Sequence, residues 1–229
     1  MAIKIQYTDE IDFYGVKMLI FGPPGVGKTR LLATAPNPII ISTEKGLLSL
    51  KDKRIPFIEI STLQEMSDAY DAVMQADFET VCLDSVTEIL ETLFRKLKRE
   101  NIKRAESEGK KADHRQVYLQ VAESAIAMMC KFRDIDDKNV IFIAQETIRE
   151  KDDAETFEPS MPGRMLPRKA PHLFDEVFSM QTQRRGGKEV TFLQTYKDSR
   201  RNCKDRSGAL DKKEVPDLSA IINKIKGGK

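Results

Sequence analysis

Residues 16–29 read VKMLIFGPPGVGKT and decide the fold class of this chain. The first six are mostly apolar, as in a strand that is buried on both faces. The other eight fill the pattern G-x-x-x-x-G-K-[ST], whose backbone N–H groups surround phosphate oxygens. Residues 29–35 have a helical pattern, which Pro36 and Pro38 bring to an end. A strand, a glycine loop and a helix in this order predict a phosphate-binding α/β domain.

Each residue type in this P-loop has a chemical reason to be there. The glycines let the backbone curl around phosphate oxygens, and the helix N-terminus adds a partial positive charge. Lys28 is expected to reach the β- and γ-phosphates of ATP, and the Thr29 hydroxyl to bind Mg²⁺. The predicted cofactors are therefore ATP and Mg²⁺, held by Gly22, Pro23, Pro24, Gly25, Val26, Gly27, Lys28, Thr29 and Arg30.

Strand-like and helix-like segments alternate along the rest of the chain. Such alternation predicts a mainly parallel central sheet flanked by helices. A late antiparallel hairpin is expected to turn across 184–188, which contains two glycines. We expect one domain over 1–229, with a core at about 15–210 and a helical tail at 211–229. The predicted strands are 16–21, 38–42, 57–60, 80–83, 140–144, 176–182 and 189–196, and the predicted helices are 29–35, 62–75, one from about 86, 116–133 and 218–225.

Two stretches interrupt this alternation. Residues 96–115 are crowded with charge, with eight basic and four acidic side chains. Residues 147–168 are polar and contain three prolines, so we expect a long loop there. Loops of this length inside a compact domain are usually functional or disordered.

Polar residues follow three of the predicted strands. Asp84 is expected to hold a Mg²⁺-bound water, although an aspartate at this point can also cap a helix. Glu44 follows the strand 38–42, which we expect to neighbour the P-loop strand, and can accept a proton from the attacking water. Gln145 can sense the γ-phosphate and pass the signal to the loop that follows. The alternatives for the last two are a surface glutamate and a polar residue at a strand end.

These strand ends, in this order, resemble the RecA-type ATPase core. The resemblance is carried by the P-loop, by Thr43-Glu44, by Leu83-Asp84-Ser85 and by Ala144-Gln145, and it spans roughly 15–210. Within that group the chain resembles the short phage-encoded RecA-type single-strand annealing proteins, which are grouped with AAA-type phage nucleotide-binding proteins. The resemblance implies a RecA-like P-loop NTPase core.

The resemblance also implies roles for single residues. Glu44 matches the general base, and Gln145 matches the glutamine that couples ATP to DNA binding. Lys204-Asp205-Arg206 is similar to a late motif whose cations reach the γ-phosphate of a neighbouring subunit. ATP is then expected at the subunit interfaces of a homo-oligomer, either a ring or a filament. The N-terminal oligomerisation region and the C-terminal domain of bacterial RecA have no counterpart, so annealing is expected rather than full strand exchange.

Two loops contact single-stranded DNA in RecA-type proteins, and the interrupting stretches stand in their places. Both 96–115 and 184–206 have an excess of basic residues, which suits a phosphate backbone, although a solvated helix and hairpin have the same composition. Phe157 can stack on a base or belong to a small local core. The implied partner is single-stranded DNA, contacted by Lys103, Arg104, Lys110, Lys111, Phe157, Arg164 and Arg168.

Composition limits the class of protein. Charged residues make up 32% of the chain, but the net charge is only +2, so composition alone does not indicate a nucleic-acid binder. The three cysteines, Cys82, Cys130 and Cys203, are widely spaced, which predicts free thiols in a reducing compartment. Acidic residues near the N-terminus argue against a signal peptide, and no apolar run approaches the ~20 residues that cross a bilayer. We expect a cytoplasmic protein, in an infected bacterial host if the phage resemblance holds, with no membrane partner.

Three functions remain open on the sequence alone. The first is an ATPase that oligomerises on single-stranded DNA and promotes annealing or recombination, with a single-strand-binding protein as a further partner. The second is a nucleotide-gated partner module of a replication or packaging complex, which uses the same residues with little turnover. The third is a small-molecule P-loop kinase, which leaves Glu44 and the motif at 204–206 unexplained. Stimulation of ATP hydrolysis by DNA favours the first, weak turnover the second, and phosphate transfer to an acceptor the third.

Overall fold

The computed structural model describes residues 15–43, 46–151 and 154–227. Glu44 lies outside the described residues. So does the N-terminal segment, for which the sequence argues against a signal peptide. The strands are β1 (Lys17–Gly22), β2 (Pro38–Ser42), β3 (Phe57–Glu59), β4 (Thr80–Asp84), β5 (Asn139–Lys151), β6 (Ala154–Pro159), β7 (Glu176–Arg185), β8 (Lys188–Gln194), β9 (Lys204–Asp205) and β10 (Lys213–Glu214). The helices are α1 (Lys28–Leu32), α2 (Leu63–Gln75), α3 (Val86–Ser107), α4 (His114–Arg133), α5 (Leu166–Leu173) and α6 (Leu218–Gly227), and Leu47–Leu50 forms a 3₁₀ turn.

The sheet is mainly parallel. Its strands lie in the order β10-β8-β7-β1-β5-β4-β2-β3, with β6 paired to β5 and β9 paired to β7. Strands β1 to β5 and β7 pair in parallel, whereas β6, β8, β9 and β10 pair antiparallel to their neighbours. We call the edge where β1, β2 and β4 end the carboxyl edge, and the edge where they begin the amino edge. The predicted α/β class, with its late antiparallel hairpin, is confirmed.

The central strands are continuous apolar runs because helices cover both faces of the sheet. Successive side chains of a strand point to opposite faces. Leu83 packs on the side of α2 to α5, and its neighbour Cys82 packs on the side of α1 and α6. Burial on both faces explains why the apolar run Ile39–Ile41 is unbroken.

The helices that follow β3 and β4 begin at side-chain caps. Thr62 and Glu65 form the predicted capping box of α2, with the Glu65 N–H donating to Thr62 Oγ1 at 3.2 Å. Ser85 caps α3 by accepting from the N–H of Glu88. Because α3 begins next to Asp84, the end of β4 is firmly joined to the first turn of a long helix.

The strand order corrects one prediction. Strand β2 pairs with β3 and β4 and does not neighbour β1, because both β4 and β5 lie between them. The sequence predicts neither the partners of β2 nor its separation from β1, since a right-handed crossover can skip any number of strands. The end of β4 is likewise separated from β1 by β5.

The predicted long loop at 147–168 is wrong. Strand β5 continues past the sheet to Lys151 and pairs with β6 in a hairpin, and α5 follows. The strands of this β5–β6 hairpin are polar because much of their surface faces solvent, and Arg149 and Glu158 form an ion pair across them at 2.7 Å. A hydrophobic pattern was therefore too weak to predict them.

Other element bounds differ less from the expectations. Most of the charged stretch 96–115 belongs to α3, which turns at Gly109 into α4. Helix α1 is shorter than the predicted 29–35 and ends in 3₁₀-type bonds, such as that from the Ala35 N–H to Leu32 O. The β7–β8 hairpin turns at Gly186 and Gly187, as predicted.

Cys82, Cys130 and Cys203 are free thiols. Every helix in the described part of the chain is too short or too polar to cross a membrane.

Candidate functional site

The P-loop lies at the carboxyl edge, directly after β1. A side chain at Gly22 would place its Cβ 2.5 Å from the carbonyl oxygen of Met180, so only glycine fits against β7. Gly27 has a φ of 102° where the loop enters α1, a left-handed conformation that favours glycine. The backbone path between β1 and α1 therefore needs glycine at both ends.

Lys28 places its ammonium group inside this loop. Its Nζ donates to the carbonyl oxygens of Gly22 at 2.7 Å and Pro23 at 2.8 Å. A cation held among loop carbonyls is available to phosphate oxygens that enter the same space.

Thr29 and Asp84 meet beside Lys28. The Thr29 hydroxyl donates to Asp84 Oδ2 at 2.6 Å, although β5 lies between β1, which precedes the P-loop, and β4, which ends at Asp84. Burial raises the pKa of the Asp84 carboxyl, while the Thr29 bond and the charge of Lys28 act in the opposite direction. A hydroxyl and a carboxylate at this distance supply the oxygen ligands that Mg²⁺ prefers. The residues present thus fit a Mg²⁺–nucleotide site.

The predicted base Glu44 cannot be compared with this geometry, because it lies outside the described residues. The preceding residue, Thr43, donates its backbone N–H to the carbonyl oxygen of Asp84 at 3.4 Å. The role of Glu44 stays a prediction.

Gln145 lies next to the P-loop, because it is in register with Gly22 across β5 and β1. Its side chain is exposed. The residue after it, Glu146, was missed by the sequence reasoning. Arg201 Nε lies 3.5 Å from Glu146 Oε2, and that buried oxygen has no hydrogen-bond partner among the described residues. Burial raises the pKa of Glu146, and the charges of Arg201 and Lys28 oppose the rise.

The position of Glu146 after a strand-end glutamine is the only signal that the sequence offers for it. Its significance depends on Arg201, which also donates to Ser179 Oγ at 3.1 Å and lies over the Phe157 ring at 3.9 Å. No local pattern connects residues so far apart in the chain.

The remaining predicted nucleotide ligands lie around the loop. Pro23, Pro24 and Gly25 are exposed, and Val26 packs against the core on the side of α1 and α6. Arg30 points to the 3₁₀ turn, where it donates to the carbonyl oxygen of Ser49 and pairs with Asp52, both at 3.2 Å.

Lys204 and Arg206 lie toward the amino edge. Lys204 pairs with Val177, which is level with Leu19 of β1, and its ammonium donates to the carbonyl oxygens of Pro171 and Phe174. Arg206 forms an ion pair at 2.7 Å with Asp175, whose N–H donates to Lys17 O. The length of β1, about 16 Å, separates Arg206 from the P-loop. Both cations have partners within their own chain, and their action in trans stays a prediction.

The predicted DNA contacts fall into two separate groups. Lys103, Arg104, Lys110 and Lys111 lie at or near the turn between α3 and α4. Lys103 is about 25 Å along α3 from its start beside Asp84, at 1.5 Å per residue. Phe157 belongs to β6, Arg164 to the segment that leads into α5, and Arg168 to α5 itself.

Phe157 and Arg168 of the second group line a cavity of about 370 Å³ between β6, α5 and residues 197–202, whereas Arg164 does not. We call it the basic cavity. Arg168, Lys197 and Arg200 line it, and their side chains make no hydrogen bond or ion pair within the described ranges. Phe157 also lines it, but its ring packs against the core and is covered on one face by Arg201, so it is poorly placed to stack on a base.

The carboxylates of the basic cavity are already engaged. Glu158 pairs with Arg149, and Asp198 accepts the backbone N–H groups of Arg200 and Arg201. The cavity therefore presents cations without competing free carboxylates, an arrangement that suits a phosphate group.

A solved structure of a KaiC-like protein from the hyperthermophilic archaeon Pyrococcus horikoshii is similar, with 13% sequence identity and a TM-score of 0.43 over 81% of this chain and 80% of that one. No curated protein matches the sequence. A family model described as an AAA domain matches residues 14–207. That match covers most of the chain, the P-loop and Asp84 included, and the chain therefore belongs to this AAA domain family of P-loop NTPases.

Proposed function

We propose that this chain binds and hydrolyses ATP and that it acts on single-stranded DNA in phage recombination, where it promotes annealing. The observation that carries the ATPase proposal is the 2.6 Å contact between Thr29 and Asp84 beside Lys28. The proposed place of action is the cytoplasm of an infected bacterial host.

The P-loop would receive the phosphates. Its backbone N–H groups surround their oxygens, and Lys28 transfers its hydrogen bonds from the carbonyls of Gly22 and Pro23 to the β- and γ-phosphates. Thr29 and Asp84 would hold Mg²⁺, directly and through water. When bound, the ion neutralises charge that develops on the phosphate oxygens.

Hydrolysis also needs a group that accepts a proton from water. Glu44 is the proposed base, because it matches the RecA-type pattern. Glu146 is a second candidate, because its side chain is only 8% exposed, its carboxylate interacts electrostatically with Lys28, and its buried Oε2 has no hydrogen-bond partner among the described residues. Gln145, in register with Gly22, is proposed to respond to the γ-phosphate.

Single-stranded DNA is proposed to bind at the basic cavity. The supporting observation is the set of three cations, Arg168, Lys197 and Arg200, on one cavity whose carboxylates are paired. Contacts to phosphate carry no base preference, so binding is expected to be independent of sequence and to weaken with salt. A homo-oligomer, a ring or a filament with ATP at its interfaces, and a single-strand-binding protein partner are proposed from the RecA-type resemblance alone.

Steady-state ATP hydrolysis with and without single-stranded DNA tests the proposal. Lys28→Ala is the blank, and we expect DNA to stimulate the wild type but not the blank. If DNA does not change the rate of ATP hydrolysis, the chain is better described as a protein-gated module. Phosphate transfer to a small acceptor would identify it as a kinase.

The location of the DNA site has its own test. We expect the double variant Lys197→Ala/Arg200→Ala to weaken DNA binding and to flatten its dependence on salt. Lys169→Ala is the control for each of the two single variants that make up the double variant, because Lys169 is an exposed cation on α5 that does not line the cavity. Equal losses in the control and in the single variants would show that only overall charge matters.

A further inference from the structure

The base of the β5–β6 hairpin contains an interrupted hydrogen-bond pair. Its register places Gln145 opposite Ser160, and the Ser160 N–H donates to Gln145 O at 2.8 Å. Opposed residues at such a position of an antiparallel ladder normally exchange two N–H···O bonds. Here the second bond is replaced by a bridge through the hydroxyl group of Thr87.

The bridge uses both capacities of that hydroxyl. Thr87 Oγ1 accepts the N–H of Gln145 at 2.9 Å and donates to the carbonyl oxygen of Ser160 at 2.9 Å. Thr87 is only 3% exposed, so water cannot readily take its place. Its branched side chain also restricts rotation about χ1. The base of the hairpin is thus held open by a group that belongs to α3.

Only Ser85 and Val86 separate Thr87 from Asp84 of the nucleotide site. Thr87 is the second residue of α3, whose N-cap Ser85 directly follows Asp84. Because Thr87 lies in the first turn of α3, a displacement of Asp84 toward bound Mg²⁺ and phosphate would also move the Thr87 hydroxyl. Withdrawal of the hydroxyl would let Gln145 and Ser160 form the missing bond directly. The hairpin base would then have a second arrangement beside the bridged one, and an element with two discrete arrangements is what conformational coupling requires.

We propose that Thr87 is a positioning residue that couples nucleotide binding at Asp84 to the β5–β6 hairpin and so to the basic cavity. This inference rests on the proposed function and specifies how its two sites communicate. The hairpin supplies Phe157 and Pro159 to the cavity and carries Glu146 beside Arg201. A change at its base therefore reaches both the DNA side and the P-loop side.

Backbone amide hydrogen exchange of the full chain, with and without a non-hydrolysable ATP analogue, tests this role. We expect the analogue to change exchange at residues 145–160 of the wild type by a factor on the order of ten, the usual size of allosteric coupling. Thr87→Val keeps the shape of the side chain without the hydroxyl, and its exchange rates at these residues should be the same with and without the analogue. Thr87→Ser keeps the hydroxyl and should retain the roughly tenfold ratio between the exchange rates with and without the analogue.

The ratio separates coupling from simple support. A merely structural role would make exchange in Thr87→Val faster by the same factor with and without nucleotide, leaving the ratio intact, and that result would overturn the inference. It would also be overturned if the wild type bound the analogue without any change in the hairpin. If the wild type bound no analogue in excess of Lys28→Ala, the proposed function itself would fall, and this inference with it.

Discussion

The two edges of the parallel sheet both collect charged side chains, but they use them differently. At the amino edge, Lys17 donates to the carbonyl oxygens of Ile135 and Lys138, both at 2.6 Å, just after α4 ends. Lys204 does the same for Pro171 and Phe174 at the end of α5. Lys17 thus satisfies carbonyl groups of the connection between α4 and β5, and Lys204 satisfies carbonyl groups that the end of α5 leaves without intrahelical partners.

At the carboxyl edge the charged groups face one another. Thr29, Lys28 and Asp84 lie around a loop whose backbone suits phosphate, and the buried Oε2 of Glu146 has no hydrogen-bond partner within the described ranges. Lysines at both edges donate to backbone carbonyls, so a charged cluster indicates a site only where its groups also converge on a loop that can hold a ligand, as Lys28 and Asp84 do at the P-loop. Four substitutions test this difference, in order of decreasing expected effect.

Asp84→Asn is the substitution expected to have the largest effect. It keeps the shape of the side chain and a hydrogen-bonding oxygen for Thr29, but removes the charge that would hold Mg²⁺. We expect the rate of ATP hydrolysis to fall by a factor on the order of 10²–10³, as when one electrostatic contact to a transition state is lost. Steady-state phosphate release measures it. Asp175→Asn is the matched change at the amino edge and should leave the rate within about twofold; equal losses would abolish the distinction between the edges.

Glu176 tests whether the amino edge is held together by a neutral carboxyl. Burial, with the nearby charge of Asp205, raises its pKa to about 8, and one of its oxygens has no hydrogen-bond partner among the described residues. A raised pKa means that the fold favours the protonated form. The stabilisation is complete below about pH 4.5 and is lost as the pH rises through about 8.

Glu176→Gln should remove this pH dependence, because glutamine is neutral throughout. We expect the variant to exceed the wild type in free energy of unfolding by on the order of 2–3 kcal/mol at pH 9, and to gain nothing at pH 4.5. Urea denaturation at the two pH values measures the difference. The exposed Glu155→Gln is the control, and a parallel pH dependence of wild type and Glu176→Gln would disprove the explanation.

The sequence predicted those features of the fold and of the site that depend on residues close together in the chain. Strands β1, β2 and β4 were predictable because burial on both faces forces an unbroken apolar run, and the P-loop because phosphate binding forces a fixed pattern of glycines. Asp84 follows from its place after such a strand. These features are set by neighbours in the chain, so a local pattern contains them.

What the sequence could not provide depends on contacts between distant residues. The β5–β6 hairpin is polar and is fixed in part by Arg201, which lies over Phe157 and near Glu146. The strand order depends on which gap β5 enters, and no local signal encodes it. Lys204 and Arg206 fit a motif by spacing, yet both have partners supplied by other segments.

Glu146→Gln tests the carboxylate at the carboxyl edge whose Oε2 has no hydrogen-bond partner among the described residues. We expect the turnover number to fall by roughly tenfold, less than for Asp84, because Glu146 acts on Lys28 through its charge and not through a direct bond. The melting temperature should also fall, since Arg201 loses its ion-pair partner. Glu44→Gln is measured beside it. The variant with the greater loss of turnover identifies the base, and a wild-type rate for Glu146→Gln would remove that residue from the site.

Arg206→Ala is expected to have the smallest effect and bears most directly on the comparison. Arg206 and Asp175 form an ion pair whose side chains are 61% and 37% exposed, and pairs of this kind contribute about 0–1 kcal/mol. If the pair is local, the variant loses no more than that in stability and keeps its hydrolysis rate within about twofold. If Arg206 instead reaches the nucleotide of a neighbouring subunit, the rate falls by tenfold or more at unchanged stability. Mixing Arg206→Ala with Lys28→Ala chains then restores part of the activity, because each chain supplies the group that the other lacks, and the amino edge of one subunit would complete the carboxyl edge of the next.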